Sequence, residues 1–215
     1  MPTNTRIILY GAGGHGKVVL DALFLAGINS KDLLILDDNN NLSEHKLFDC
    51  FINPISSIAN LIDFPFHISI GNNATRFAIF NNMSKKSTDL LTIIHPNASI
   101  SKFAKIGPGS FLGASSVVAP NASIRNCVIV NHGAVVDHDC FIGDFSHIGP
   151  NACLGGAVKV GSKVLVGAGS VILPGITIGD GAVIGAGSVV TSNVLPFSVA
   201  VGIPAKPIKK GNVFE

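Results

Sequence analysis

The sequence predicts a two-part chain: an α/β, Rossmann-like half domain, then a left-handed parallel β-helix of hexapeptide repeats. Three observations carry that prediction. From Ile100 to Val190 every sixth residue is Ile, Leu or Val, sixteen positions without a shift of frame. Four residues after each ladder position stands a second inward-type residue, small or β-branched, as at Ala104, Ser110, Ser116 and Ala122. Before the ladder the pattern changes to apolar runs alternating with helical stretches around the loop GAGGHG.

In the first domain, residues 6–11 (RIILYG) read as a buried strand, 14–26 as a helix, 33–38 (LLILDD) as a strand and 66–71 (FHISIG) as another. Residues 73–84 then read as a helix and 90–95 as a last strand. Strands alternating with helices imply a parallel, doubly wound sheet. His95-Pro96 ends this domain, residues 1–95, because proline disfavours continuing the element before it. The hexad frame follows at once and defines a second domain over 96–197. Residues 198–215 leave the frame, are rich in Pro and Lys, and read as a C-terminal tail.

An amphipathic helix repeats at about 3.6 residues and a flat strand at 2, so a period of six with Gly or Pro in the units means a short strand and a turn. Three units close a triangular coil. Coils stacked at roughly 4.8 Å pair each strand with the one above, and the ladders fill a prism that no single repeat could bury alone. Glycine follows the ladder residue at positions 107, 113, 143, 149, 155, 161, 167, 179 and 185, which predicts corners needing a backbone freedom that side chains forbid.

Composition narrows the function. A net charge of +2 with 13% charged residues offers no basic face, which argues against a nucleic-acid partner. The mean hydropathy of +0.49 is high, yet no apolar run reaches the ~18 residues of a membrane span. The surplus apolar surface points to contacts between subunits. The apolar stretch before Gly11 is too short for a secretory signal, so the cytoplasm is expected. Cys50, Cys127, Cys140 and Cys153 lack CxxC spacing, and Cys140 falls on an inward position; buried free thiols are expected.

Gly11, Gly13 and Gly16 match GxGxxG at a strand-to-helix turn, with Asp37 and Asp38 ending the next strand. Phosphate can rest on the helix N-terminal amides, with an acid available for ribose or base. The domain is one mononucleotide half, so a nucleotide-sugar fits better than a dinucleotide. His15, inside the loop, either contacts phosphate or sugar or bonds solvent in the first helical turn. Gly71-Asn72-Asn73 sits where such sheets bind ligands, and also reads as an ordinary turn with a helix cap.

Side chains follow the ladder at Arg125, Asn131 and Asp137 in successive units, beside His132, His138 and His147. Local rules broken together mark a functional region. His138 lies between Asp137 and Asp139, and a carboxylate can orient an imidazole and keep it basic, as a general base requires. His132 occupies the preceding corner without an acid after it and is expected to pack or hydrogen-bond. Consecutive corners are up to about 20 Å apart along a six-residue strand, so one chain cannot converge the histidines on a metal. His138 and His147 are half a coil apart; a site using both lies between subunits, which predicts a ring of three prisms.

The segments GAGGHGKV, LDDN, IGNN, DHDCFIGDFSHIGP, GAGSVILP and VGIPAKP together resemble the bacterial hexapeptide-repeat acyltransferases that modify nucleotide-linked amino sugars. The likeness is to UDP-4-amino-sugar N-acetyltransferases of the bacillosamine type and the related sialic-acid O-acetyltransferases, and it covers nearly the whole chain. It implies a cytoplasmic homotrimer that moves acetyl from acetyl-CoA to the amino group of a UDP-linked amino sugar, without a metal. His138 would be the general base, with Asp139 its partner acid, although the family often has Glu there; whether Asp137 or Asp139 orients the ring is open. Acetyl-CoA would lie between prisms, with His147 at the thioester carbonyl and Gly156, Ala168 and Ala186 along the pantetheine. Gly13, Gly14, His15, Asp37, Asp38 and Gly71 would hold the UDP-sugar. O-acetylation of sialic acid or another sugar hydroxyl is the alternative.

Overall fold

The fold was analysed in a computed structural model that describes residues 6–42, 45–57, 64–83 and 89–210. The first domain contains β1 (Ile7–Tyr10), α1 (Gly14–Leu25), β2 (Leu33–Asp37), β3 (Lys46–Leu47), β4 (Cys50–Pro54), β5 (Phe66–Ile68) and α2 (Asn73–Met83). Its sheet runs β3-β4-β2-β1-β5 and is parallel apart from the β3–β4 pair. Alternation along β1 decides which side packs where. Ile7 and Leu9 meet Val19, Leu20 and Leu23 of α1, while Ile8 and Tyr10 meet Ile79 and Met83 of α2. β1 pairs with β2 on one side and with β5 on the other. The strand order therefore reverses at β1, and the crevice at its carboxyl end is where open α/β sheets take ligands.

The expected helix over 73–84 runs over Asn73–Met83, and Ser84 lies outside the described residues. The expected strand over 90–95 divides. Leu90 bridges Phe66 of the first sheet, whereas Ile93–Ile94 pairs with Phe111–Leu112 and forms the first rung of the prism. The β3–β4 hairpin was not foreseen.

In the prism each rung is two residues long and pairs in parallel with the rung eighteen residues on, as Val117 with Val135 and Val135 with Cys153. The rungs form three sheets, one per face. The second residue of the rung points inward, and Leu112, Val118, Val130, Val136, Ile142, Ile148 and Val166 are all buried. The second inward position is small because it lies under a corner: Ala122, Ala134, Ala152 and Ala182 fill it without exposure. At Ser110, Ser146 and Ser170 the hydroxyl donates to a corner carbonyl of the neighbouring coil: Ser110 Oγ to Arg125 O at 2.9 Å, Ser146 Oγ to Gly161 O at 2.7 Å and Ser170 Oγ to Gly185 O at 2.9 Å. Cys140 Sγ does the same to Gly155 O at 3.2 Å. These three hydroxyls are buried but satisfied, whereas Ser116 Oγ is buried without a partner.

The corner glycines serve a different need from the one expected. Positive φ falls two residues later, at Gly109, Gly133, Asp139, Phe145 and Lys163 among others, and several of these are not glycine. What the glycines after the ladder supply is room. A Cβ on Gly107 would stand 2.6 Å from the carbonyl carbon of Arg125, and one on Gly143 2.5 Å from that of Gly161. Stacked coils approach too closely there for any side chain on that bond.

After the last full coil, Ser198–Gly202 pairs in parallel with Val183–Ile184 and turns back as Ala205–Lys210, burying Ala200 and Ala205. The described part of the expected tail is thus a hairpin that extends one face of the prism.

α2 joins the halves through Arg76, which is only 1% exposed. Its Nε donates to Cys127 O at 2.9 Å; Nη1 donates to Ile70 O at 2.8 Å and Gly71 O at 3.1 Å; Nη2 donates to Asn73 Oδ1 and Phe145 O, both at 2.8 Å. Asn73 Nδ2 in turn donates to Val164 O at 3.0 Å. Burial draws the guanidinium pKa down to about 10, so the group stays charged at neutral pH. Phe111 and Ile129, on the outer face of the prism, complete the apolar core under α1. Arg76→Ala orphans buried carbonyls on both sides of the junction and is expected to lower stability by about 3–5 kcal/mol, on the order of 10 °C in Tm. Thermal and urea melts check this; a loss below about 1 kcal/mol would contradict the role given to Arg76.

Candidate active site

The rung Val135–Val136 delivers the corner Asp137-His138-Asp139 to one edge of the prism. Asp137 Oδ1 accepts the backbone N–H of His138 at 2.7 Å, and Asp139 Oδ2 stands 2.8 Å from His138 Nδ1. Asp139 is therefore the acid that orients the ring, and Asp137 holds the backbone. Asp139 adopts φ 59°, a left-handed conformation that a short acid tolerates, and Asn121 Nδ2 from the coil below donates to its Oδ1 at 3.2 Å.

With Nδ1–H pointing at Asp139, Nε2 presents its lone pair outward. The His138 and Asp139 side chains are 59% and 54% exposed, so a ligand can reach them. The hydrogen bond donated to Asp139, then the charge of Asp137, raise the His138 pKa above its ordinary 6.5, and the same bond lowers that of Asp139. The ring lies on Gly156 of the next coil, where a Cβ would stand 2.5 Å from Cε1 and Nε2. A larger residue there would push the ring from this position.

Corners differ in whether their second backbone N–H is used. At four of them a side chain caps it: Asn131 caps His132, Asp137 caps His138, Asp144 caps Asn126 and Asp180 caps Ser162, at 2.7–2.9 Å. At Gly156, Ala168 and Ala186 no hydrogen-bond partner exists among the described residues. Register sorts these positions onto two edges. His138 and Gly156 share one column, while His132, Pro150, Ala168 and Ala186 share another.

The nucleotide-type loop sits at the carboxyl end of β1. Its glycines have separate reasons. Gly11 has φ +113° and packs on Ile70, where a Cβ would stand 2.7 Å from Cγ1; Gly16 packs against the Gly11 carbonyl. Gly13 and Gly14 face open space. Gly13 is the N-cap of α1 and no side chain caps the helix, which leaves first-turn amides free for an anion.

Gly71, His15 and His147 meet at the domain junction. His147 Nδ1 donates to Gly71 O at 3.2 Å, and its Nε2 accepts from Asn131 Nδ2 at 3.0 Å. His15 stands edge-on to Phe111 at 5.2 Å and lies 6.3 Å from the His147 ring; its Nε2 is buried without a partner. His67, on β5, donates from Nδ1 to Leu91 O at 2.9 Å. His138 stands apart from this cluster, on another edge. No group of three or more His, Cys, Asp or Glu among the described residues is placed to hold a metal, and no described helix is long and apolar enough to cross a membrane. All four cysteines are free, and three of them are buried.

Comparisons with known proteins complete the picture. Residues 6–83 match the family described as PglD N-terminal domain, and residues 157–192 match bacterial transferase hexapeptide (six repeats). The acetyltransferase domain of PglB from Neisseria gonorrhoeae FA1090, solved in complex with acetyl coenzyme A, is 32% identical with a TM-score of 0.88, covering 95% of this chain and 100% of that one. The chain belongs to the PglD/PglB family of hexapeptide-repeat acetyltransferases. A mutant of perosamine N-acetyltransferase from Caulobacter crescentus, solved with CoA and GDP-perosamine, is 28% identical with a TM-score of 0.86, covering 95% and 97% of the two chains. UDP-N-acetylbacillosamine N-acetyltransferase of Bacillus subtilis (strain 168) is 35% identical over 113 residues, about half of each protein at 51%.

Sequence reasoning missed Arg76 and Asn121, both of which act on partners far away in the chain. The structure brings together His138, Asp139 and Gly156, and separately His15, Gly71 and His147, although the sequence reading assigns His147 with Gly156 to acetyl-CoA and His15 and Gly71 to the UDP-sugar.

The buried histidines predict a pH response. His15, His67 and His147 are pushed down to about 2, 4 and 4, first by burial, with the charge of Arg76 adding to each. Unfolded histidine binds its proton near 6.5. The stability they contribute is fully present above about pH 6.5 and is lost as pH falls towards 4. Urea midpoints between pH 7.5 and 4.5 should decline from about 6.5 downward; a flat profile would contradict the assignment.

Proposed function

We propose that the chain transfers acetyl from acetyl-CoA to the amino group of a nucleotide-linked amino sugar, a UDP-4-amino-4,6-dideoxy-N-acetylhexosamine, with His138 as general base. The observation that carries this reading is the exposed His138–Asp139 pair, its free Nε2 beside the open Gly156 amide. The names of the relatives supply the substrate class. The sugar amine, neutral when it reacts, attacks the thioester carbon while Nε2 takes its proton. The N–C bond forms, the carbonyl becomes an oxyanion, and the Gly156 N–H can donate to it. Collapse breaks the C–S bond, and the imidazolium returns its proton to the CoA sulfur. Asp139 favours that imidazolium through its charge.

The free Ala168 and Ala186 amides suit the carbonyls of pantetheine. They lie on a different edge from His138, so one acetyl-CoA reaches both sets only in a groove between two prisms. That supports a homotrimer with shared sites. In the tautomer present, His147 Nε2 accepts from Asn131; a contact with the thioester there requires the Asn131 amide to turn away. Gly13, Gly14, His15, Asp37, Asp38 and Gly71 surround the crevice proposed for the UDP-sugar, and the cytoplasm is the proposed location.

Three measurements test this. His138→Ala should lower kcat by about 10²–10⁴ with little change in KM, for amine rather than alcohol acceptors; an active variant would move the base elsewhere. In wild type, kcat should rise with pH through a pKa above 6.5, and Asp139→Asn should move that limb to lower pH while reducing the plateau. A Cβ on Gly13 stands in open space, so Gly13→Val should raise KM for the sugar nucleotide alone; equal weakening of acetyl-CoA would contradict the two-domain division.

A further inference from the structure

Asn121 ends the corner Ala119-Pro120-Asn121, one coil below Asp137-His138-Asp139 and in register with it, since the Asp139 N–H donates to Pro120 O at 3.1 Å. Both end residues are left-handed, Asn121 at φ 62° and Asp139 at φ 59°, a conformation that Asn and Asp tolerate better than most side chains. Matching backbones in register direct their side chains alike, so the Asn121 amide lies against the Asp139 carboxylate. Its Nδ2 donates to Oδ1 at 3.2 Å, and Oδ2 faces His138 Nδ1 at 2.8 Å. The same place one and two coils above is taken by Ala157 and Gly175, which carry no donor. Among the described residues, Asn121 thus supplies the side-chain hydrogen bond that Asp139 receives from outside its own corner.

We infer that Asn121 is a positioning residue for the base: by holding one carboxylate oxygen of Asp139 it keeps the other on His138 Nδ1, which fixes the tautomer whose Nε2 takes the proton. This role rests on the general-base reading of His138. An exposed carboxylate without such a holder turns about its side-chain bonds and divides its oxygens between water and the ring. The bond with His138 first, and the bond from Asn121 second, lower the Asp139 pKa, so the acid keeps its charge at neutral pH. When Asn121 is removed, water replaces the donor at the exposed Oδ1, but water imposes no direction. What is lost is orientation, and with it part of the stabilisation of the imidazolium. The charged groups facing the imidazole are Asp137 and Asp139 of its own corner. The adjoining coils offer it Pro120 and Asn121 below and Gly156 and Ala157 above, none of which ionises. A change at the uncharged Asn121 therefore reaches the imidazole through Asp139.

The test is a cycle of Asn121→Gly, Asp139→Gly and the double variant, because glycine keeps the left-handed corner at both places. Steady-state kinetics with acetyl-CoA and a UDP-4-amino sugar are followed against pH, and the His138 ring is titrated by NMR. Asn121→Gly should lower the kcat plateau about threefold to tenfold, leave both KM values within about twofold, and move the His138 titration down towards 6.5. In the Asp139→Gly background the same change should do nothing further, a dependence that a merely structural role in the corner would not show. Asn121→Asp keeps the shape and loses the donor, so its kcat should fall at least as far, even if the glycine variant melts early. Wild-type kcat and His138 titration in Asn121→Gly, or losses that simply multiply in the double variant, overturn the inference alone. A fully active His138→Ala overturns the general-base reading, and this role with it.

Discussion

The guanidinium of Arg76 is the constraint on which the relation between the two domains depends, because its donors reach carbonyls on both sides at once. Cys127 and Phe145 belong to the prism, Ile70 and Gly71 to the loop after β5. No carboxylate among the described residues pairs with the charge; carbonyl dipoles and one amide oxygen solvate it in a planar fork that matches guanidinium geometry. Through Gly71, whose carbonyl also takes the His147 proton, the loop beside the glycine-rich turn is fixed against a particular rung. A translation of one domain by a coil would break these bonds together.

The stacked register explains why a repetitive fold can hold a specific site. Residues eighteen apart occupy equivalent places, so small departures in one unit stand out against identical neighbours. A corner amide capped by Asn131, Asp137, Asp144 or Asp180 is closed to ligands. The same amide left bare at Gly156, Ala168 or Ala186 is a donor on a rigid scaffold. The corner is otherwise unchanged, so the omission of a cap is enough to leave a donor free. Rigidity comes from the rungs on either side, whose inward residues are fully buried.

How much of this could be read beforehand depended on the range of the interaction. The hexad ladder was legible because a period of six has one physical solution, and it even continues to Ile94, six residues before Ile100, where the first rung pairs with Phe111–Leu112. The proline at 96 concealed that rung by suggesting an end. The β3–β4 hairpin escaped because Lys46–Leu47 is only two residues long and the Cys-Phe-Ile start of Cys50–Pro54 shows in sequence none of the alternation that its burial has. His138 and Asp139 are adjacent in sequence, so their pairing could be guessed; the choice of Asp139 over Asp137 needed the hydrogen bonds, which put Asp139 on Nδ1 and Asp137 on the backbone N–H. Arg76 reaches partners 51 and 69 residues away, a contact that no local pattern announces.

The histidines show how environment assigns opposite duties to one side chain. At the exposed corner, desolvation is slight and two carboxylates flank His138, so its charged form is favoured and its Nε2 becomes a stronger base. At the junction, burial and the nearby Arg76 charge disfavour protonation, and His67 and His147 serve as neutral hydrogen-bonding groups with fixed tautomers. The two sets titrate in separate ranges, one above 6.5 and one at about 4 or lower. Under the proposed chemistry, the pH that protonates the base therefore leaves the native junction neutral: acidification silences catalysis through His138 before protons bind the histidines that join the domains.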